Sequence, residues 1–291
     1  MVSAACSGDD GDAATAATSD ATTIPADCTP SREATDGDLT LSYGREERTY
    51  SLALPAGYDG GTALPLVFSL HGFASDKETM EAGTGLARAG AARGYIVATP
   101  DATGPVRQFN YFRAPDQADD FGFVHALLAE LSDRLCVDED RVFAAGHSAG
   151  SAFAAFLVCQ EPYVFAAIAM VSATTPSGCP DGVTPAIVAV AGTADPQVPY
   201  AGGSVGGSAV GIPPAIETIE AYATRHACAS GPASDQPATN VERITYSECA
   251  DGRTVVLYTV VGGGHEWAAG PEFSATDAIL DFFDGPPAAL Q

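Results

Sequence analysis

The chain has 291 residues, 46% of them hydrophobic, enough to bury a substantial core, so general disorder is excluded. Lysine and arginine number 13 against 37 aspartates and glutamates, a net charge of −24 that disfavours nucleic acid and anionic membrane surfaces as partners. No run of 18 apolar residues exists, which excludes a membrane-spanning helix.

Residues 1–37 read as an acidic Ala/Thr/Ser/Asp-rich disordered tail and residues 38–291 as one catalytic-sized domain. The first residues, 1–6, carry no charged n-region and no apolar h-region. Small residues before Cys6, followed by the acidic stretch, resemble a bacterial lipoprotein after its lipobox, although Ser3 stands where an aliphatic residue is usual. That resemblance implies a lipid tether at Cys6; an unanchored tail is the alternative.

Beyond the tail, strand-like runs at 39–43, 48–54 and 65–70 lead into a regular alternation. A helical pattern at 78–93 precedes a strand at 95–99, one at 119–135 precedes 141–146, and one at 148–160 precedes 164–171. A buried strand follows at 185–191, a helix at 214–226, strands at 243–246 and 254–261, and a closing helix at 274–283. Alternation of this kind requires right-handed crossovers and a mostly parallel central sheet with helices on both faces: an α/β fold without a large cap domain. Two long irregular loops, 101–116 and the Gly-rich 201–213, fall where such sheets build their sites.

Seven cysteines include no CxxC pair and no Cys/His cluster at zinc spacing, so neither metal nor other cofactor is expected. Setting Cys6 aside leaves six, an even number that fits an exported, disulfide-bonded domain, with 15 pairings open. Cys228 and Cys249 flank one polar loop and are expected to close it. Cys136 ends one helix and Cys159 lies well down the next, which would put both at the same end of a sheet, and Cys28 with Cys179 follows by elimination.

Gly146-His147-Ser148-Ala149-Gly150 fits G-x-S-x-G directly after a predicted strand and at the start of a predicted helix. A nucleophile on this turn needs small flanking residues because the turn is strained, and gains from helix amides that stabilise negative charge. Gly202-Gly203-Ser204-Val205-Gly206 fits the same string but lacks the strand and the helix, so Ser148 is the candidate nucleophile. A serine hydroxyl needs a base, and the base an orienting acid. Asp195 follows the strand at 185–191, and His265 follows the last strand in the glycine run Gly262-Gly263-Gly264; the order Ser148, Asp195, His265 is that of the α/β-hydrolases. His147 occupies the variable place of the motif and reads as packing beneath the turn. Two N–H donors for an oxyanion are expected from Ala149 and from Phe73 in the loop His71-Gly72-Phe73-Ala74.

Residues 50–283 resemble the poly(3-hydroxybutyrate) depolymerase and feruloyl esterase family of secreted α/β-hydrolases, which also includes acetyl xylan esterases and some hydrolases of synthetic aromatic polyesters. The resemblance rests on Leu70-His71-Gly72, on Asp119-Asp120 with Phe123-Val124, and on Cys136-Val137-Asp138 through Gly146-His147-Ser148. Gly192-Thr193-Ala194-Asp195-Pro196 with Val198-Pro199-Tyr200, and Gly263-Gly264-His265 with Trp267, complete it. It implies Ser148 as nucleophile, Asp195 as acid, His265 as base and the Phe73 and Ala149 amides as oxyanion donors. Departures at Ser151, at Phe109-Asn110 and at Ala268-Ala269 are expected to touch the binding cleft. Trp267, Phe109, Tyr200 and Phe73, with Tyr111 and Phe112, are the expected substrate contacts.

The resulting expectation is an exported, monomeric serine esterase acting through an acyl-enzyme. Its leading substrate class is polyester, polyhydroxybutyrate or an aromatic polyester such as PET, gripped as an insoluble polymer surface by the catalytic face itself. Feruloyl or acetyl xylan esters of plant cell walls are the alternative, and a catalytically silent binding lipoprotein on the same scaffold is the outsider.

Overall fold

The computed structural model describes residues 35–160, 164–175, 185–209 and 211–285. Cys6, Cys28, Cys179 and almost all of the expected tail lie outside them. In chain order the strands are β1 (Gly37–Tyr43), β2 (Glu46–Ala53), β3 (Leu64–Leu70), β4 (Ile96–Pro100), β5 (Val137–His147), β6 (Ala167–Val171), β7 (Ala186–Gly192), β8 (Gly203–Ser204), β9 (Gly211–Ile212), β10 (Ser230–Ala238), β11 (Val241–Ser247) and β12 (Val255–Val260). The α-helices are α1 (Lys77–Thr84), α2 (Leu86–Ala92), α3 (Asp120–Arg134), α4 (Ala149–Gln160), α5 (Ala215–Arg225) and α6 (Ala275–Asp284).

Ten strands form one sheet in the order β1-β2-β4-β3-β5-β6-β7-β12-β11-β10, while β8 and β9 make a separate two-stranded ribbon. The six central strands, β4 to β12, run parallel, and antiparallel pairs close both edges. The central strands are apolar on both faces because helices cover both. Leu66, Phe68 and Leu70 of β3 point into a core with Phe121, Phe123 and Leu127 of α3, Phe153 and Leu157 of α4, and Ile219 of α5. Val67 of the same strand points the other way, into a core with Met80 of α1, Leu86 of α2 and Ile279, Phe282 and Phe283 of α6.

The helical pattern over 78–93 resolves into two helices because Gly85 takes a left-handed conformation, φ 61°, that caps α1 and starts α2. A disulfide joins Cys228 after α5 to Cys249 after β11. Cys136 and Cys159 are each disulfide-bonded as well. Among the described residues no helix is long and apolar enough to cross a membrane.

Candidate active site

The site is assembled at the carboxyl ends of β3, β5, β6, β7 and β12, the edge where a parallel sheet leaves its crevice. Ser148 sits in the turn from β5 to α4 with φ 54°, a left-handed conformation costly for a residue with a β-carbon. The Ser148 N–H donates to the Val171 carbonyl (2.8 Å), pinning the turn to β6. Gly146 and Gly150 make the turn possible by close approach: a β-carbon on Gly146 would lie 2.2 Å from the Gly150 carbonyl oxygen. Ser151, fully buried, accepts from the Val171 N–H (2.8 Å) and lies 2.6 Å from the Gly146 carbonyl oxygen.

Two further loops converge on this turn. Asp195, after β7, accepts from the Gln197 and Val198 N–H groups through Oδ1 (2.8 and 2.9 Å), which leaves Oδ2 free to turn toward His265. His265 follows β12, and its loop is joined to the aspartate loop by Ala194 N–H donating to the Gly263 carbonyl (2.9 Å) and Gly262 N–H donating to Thr193 Oγ1 (2.8 Å). Gly192 permits this approach, since a β-carbon there would stand 2.3 Å from the Gly263 oxygen. Ser172 Oγ donates to the Glu266 carbonyl (2.8 Å), tying the histidine loop to the end of β6.

Three side chains distant in sequence therefore form one chain of contacts. His265 Nδ1 lies 2.7 Å from Asp195 Oδ2, and His265 Nε2 lies 2.8 Å from Ser148 Oγ. An accepting carboxylate at Nδ1 requires the proton there, so Nε2 presents a lone pair to the serine hydroxyl. The arrangement can take a proton from Ser148 Oγ and stabilise the imidazolium that results. His147 packs beside it, ring centroids 5.3 Å from His265 and 6.4 Å from Trp267. Burial, reinforced by repulsion from His265, pulls His147 down to about 4, so it stays uncharged at neutral pH.

Ser148 and His265 open onto a cleft of about 720 Å³. Its lining draws Phe73, Gln108, Tyr111 and Phe112 from the loops after β3 and β4, Ala149, Ala152 and Phe156 from α4, and Gln197, Val198, Val205 and Ile212 from the segment after β7. Tyr111 stacks on Phe156 (6.0 Å between centroids), with Phe112 tilted against both at 4.5 and 6.2 Å. Phe73 and Phe112 stand at the rim, 60% and 69% exposed.

Of the expected substrate contacts, Phe73 lines the cleft with Tyr111 and Phe112, but three do not. Phe109 is buried, stacked on Phe153 at 4.7 Å and against His71 at 4.8 Å, because the loop folds its ring into the core over α4. Trp267 is buried in the opposite core, its Nε1 donating to Thr276 Oγ1 (2.8 Å). Tyr200 packs half-buried against the core, its hydroxyl 2.9 Å from Thr259 Oγ1. None of Ser151, Phe109, Asn110, Ala268 and Ala269 lines the cleft; the first three are buried, Ala268 is half-buried and Ala269 is exposed. The cleft residues that sequence reasoning missed include Phe156, Val198, Val205 and Ile212. Phe156 lies on a helix apolar on every side, which hides its cleft-facing stripe. Val205 belongs to the second G-x-S-x-G string, whose Gly-rich loop supplies a wall rather than a nucleophile.

The parallel sheet with helices on both faces, the strained serine at the β5–α4 turn and the converging aspartate and histidine loops define an α/β-hydrolase. The family model "Esterase PHB depolymerase" matches residues 48–210, more than half of the chain, and the chain belongs to that family. Feruloyl esterase B of Piromyces equi is 32% identical over 229 residues, which are 75% of this chain and 42% of that longer protein. NocK of Nocardia uniformis subsp. tsuyamanensis is 30% identical over 293 residues, covering 88% of this chain and 83% of the relative. Among solved structures, an acetyl xylan esterase from Aspergillus awamori superposes with a TM-score of 0.62 at 14% identity, over 85% of this chain and 99% of that one, a likeness of fold.

Proposed function

We propose that this esterase-family protein is an exported serine carboxylic ester hydrolase with Ser148 as nucleophile, His265 as general base and acid, and Asp195 as the orienting acid. The observation that carries the reading is the unbroken contact chain from Asp195 through His265 to Ser148, whose last two members line an apolar cleft. Ser148 Oγ attacks the ester carbonyl carbon while its proton passes to His265 Nε2. The carbonyl oxygen becomes an oxyanion, held by the Phe73 and Ala149 N–H groups, where preorganised donors contribute most. Collapse breaks the bond to the alkoxy oxygen, which leaves as alcohol with the proton from His265. Water, deprotonated by the same ring, then releases the acid from Ser148.

The leading substrate is a polyester. Exposed Phe73 and Phe112 at the rim of an open cleft favour contact with a flat apolar surface, and the charge of −24 disfavours anionic ones. A phenolic ester of feruloyl type is the second reading, favoured by the stacked Tyr111–Phe156 wall, which can take an aromatic ring, and by the 32% identity with a feruloyl esterase. Export is supported by the Cys228–Cys249 disulfide and by the bonded state of Cys136 and Cys159, because disulfides persist in oxidising compartments.

The test is hydrolysis of p-nitrophenyl butyrate, methyl ferulate, poly(3-hydroxybutyrate) film and an aromatic polyester film by wild type and Ser148→Ala. Serine-dependent release from a film is the expected outcome. Serine-dependent turnover of methyl ferulate alone moves the assignment to the second reading, and turnover that survives Ser148→Ala overturns the mechanism.

A further inference from the structure

His71 is completely buried next to the site, yet its ring touches neither Ser148 nor His265 in the contact chain described. Both ring nitrogens are used. Nδ1 lies 2.8 Å from the Gly72 carbonyl oxygen, and Nε2 lies 3.0 Å from the Ala102 backbone nitrogen. A carbonyl oxygen only accepts and a backbone N–H only donates, so the ring satisfies both partners in one form alone, neutral with the proton on Nδ1. Burial lowers its proton affinity, in keeping with that neutral form.

The Gly72 carbonyl and the Phe73 N–H belong to the same peptide unit, and in a trans peptide they point in opposite directions. Among the described residues the only cis bond is Gly231–Pro232, so the Gly72–Phe73 bond is trans. Gly72 packs directly on the nucleophile turn: a β-carbon on it would come 3.5 Å from Ser148 Cβ and 3.4 Å from the His147 carbonyl. With the Gly72 oxygen held on the buried His71 ring, the Phe73 N–H points to the opposite side of that peptide, and Phe73 itself lines the cleft together with Ser148. The ring is itself held, by Phe109 against one face and by Ala102 at its far nitrogen.

We infer that His71 is a positioning residue, which through the Nδ1–H bond to the Gly72 carbonyl fixes the plane of the Gly72–Phe73 peptide and so aims the Phe73 N–H at the developing oxyanion. A bond to the carbonyl also polarises the peptide, making its N–H the stronger donor. The inference rests on the esterase reading above.

The experiment compares kcat, KM and thermal midpoint for wild type, His71→Leu and His71→Asn on p-nitrophenyl butyrate. Asparagine can return an N–H donor to the Gly72 carbonyl but restores neither the acceptor for Ala102 nor the stack on Phe109, so both variants lose stability. Leucine is expected to lower kcat by about tenfold to about a hundredfold, approaching the loss of an oxyanion donor, with KM within about threefold of wild type. Asparagine is expected to recover most of that kcat at a midpoint as low as that of the leucine variant. A leucine variant with wild-type kcat, or an asparagine variant no faster than leucine, overturns the inference. Should neither variant fold, ¹⁵N NMR of histidine-labelled wild type decides: a neutral Nδ1–H ring at His71 supports the inference and an Nε2–H or charged ring overturns it. Absence of Ser148-dependent turnover in the wild type would instead overturn the esterase reading, so the two failures are distinct.

Discussion

Gly150 stands directly under Leu70: a β-carbon on Gly150 would lie 2.1 Å from the Leu70 carbonyl oxygen and 2.6 Å from that of His71. The start of α4, directly after the candidate nucleophile, is thus in backbone contact with the end of β3 and the first residue of the 71–74 loop. Nothing flexible can yield there, so the spacing between Ser148 and the Phe73 amide depends on the missing side chain.

Gly150→Ala must push α4 away from β3. The expected cost is about 1–3 kcal/mol of stability from overpacking. Displacing Ser148 by a fraction of an ångström should also lower kcat at least about tenfold, since about 1 Å of misplacement can cost about a hundredfold. Urea unfolding and steady-state kinetics on a soluble ester check both; a variant with wild-type kcat would show that the contact does not set the geometry.

What the sequence made legible here follows from where local chemistry constrains local residues. A strained serine turn demands small neighbours, so Gly146 and Gly150 mark it, and glycines at 192 and 263 mark the approach of the acid and base loops. Less was legible where tertiary contacts decide. The strand Ser230–Ala238 carries Gly, Pro and polar residues and reads as loop, yet pairs with β11 because its neighbour supplies the ladder at an exposed edge. Phe109 and Trp267 sit in loops, where periodicity cannot say which way a ring turns; both turned inward. The ion pair of Arg48 with Asp120 joins positions 72 residues apart, which no local pattern announces.

That pair anchors the cleft loop. Arg48 meets Asp120 at 2.5 Å with both side chains buried, and also donates to the Asp101 carbonyl (3.0 Å), while Asp120 accepts from the Asn110 N–H (2.6 Å). Burial pushes the Asp120 carboxyl up, against the pull of Arg48. Asp120→Ala leaves a buried guanidinium without its counter-charge, an expected loss of about 3–5 kcal/mol. Arg48→Met with Asp120→Leu should recover much of the stability but not the hold on Asn110, so KM should stay raised. Equal unfolding midpoints for the single and double variants would refute the argument.

Phe112 and Trp267 separate cleft from core. Phe112→Ala, at a rim position 69% exposed, is expected to leave stability within about 0.5 kcal/mol while weakening attack on polymer film or aromatic ester. Trp267→Leu removes a buried indole and its bond to Thr276, an expected loss of about 3–5 kcal/mol without a change in substrate preference. Thermal unfolding and relative rates on two esters distinguish them; a Trp267 variant that shifts preference while keeping its stability would return that residue to the cleft.

His226 gives the fold an acid limit. It is buried at the end of α5 with neither ring nitrogen hydrogen-bonded, and burial, with the charges of Arg253 and Arg225, pulls it down to about 4. The unfolded chain holds this proton below about pH 6.5 and the folded chain only below about 4, so across that window the unfolded state binds more protons and stability falls as pH falls. The full separation corresponds to at most about 3 kcal/mol, less whatever solvent screens. His147, also pulled down to about 4, adds a loss of the same sign over the same window. His226→Leu keeps the volume and removes the titration, so its stability should fall less steeply than that of wild type between pH 6.5 and 4, with His147 accounting for the remainder. Urea midpoints measured across that range test this, and parallel curves for the two proteins would show that His226 is not protonated on unfolding.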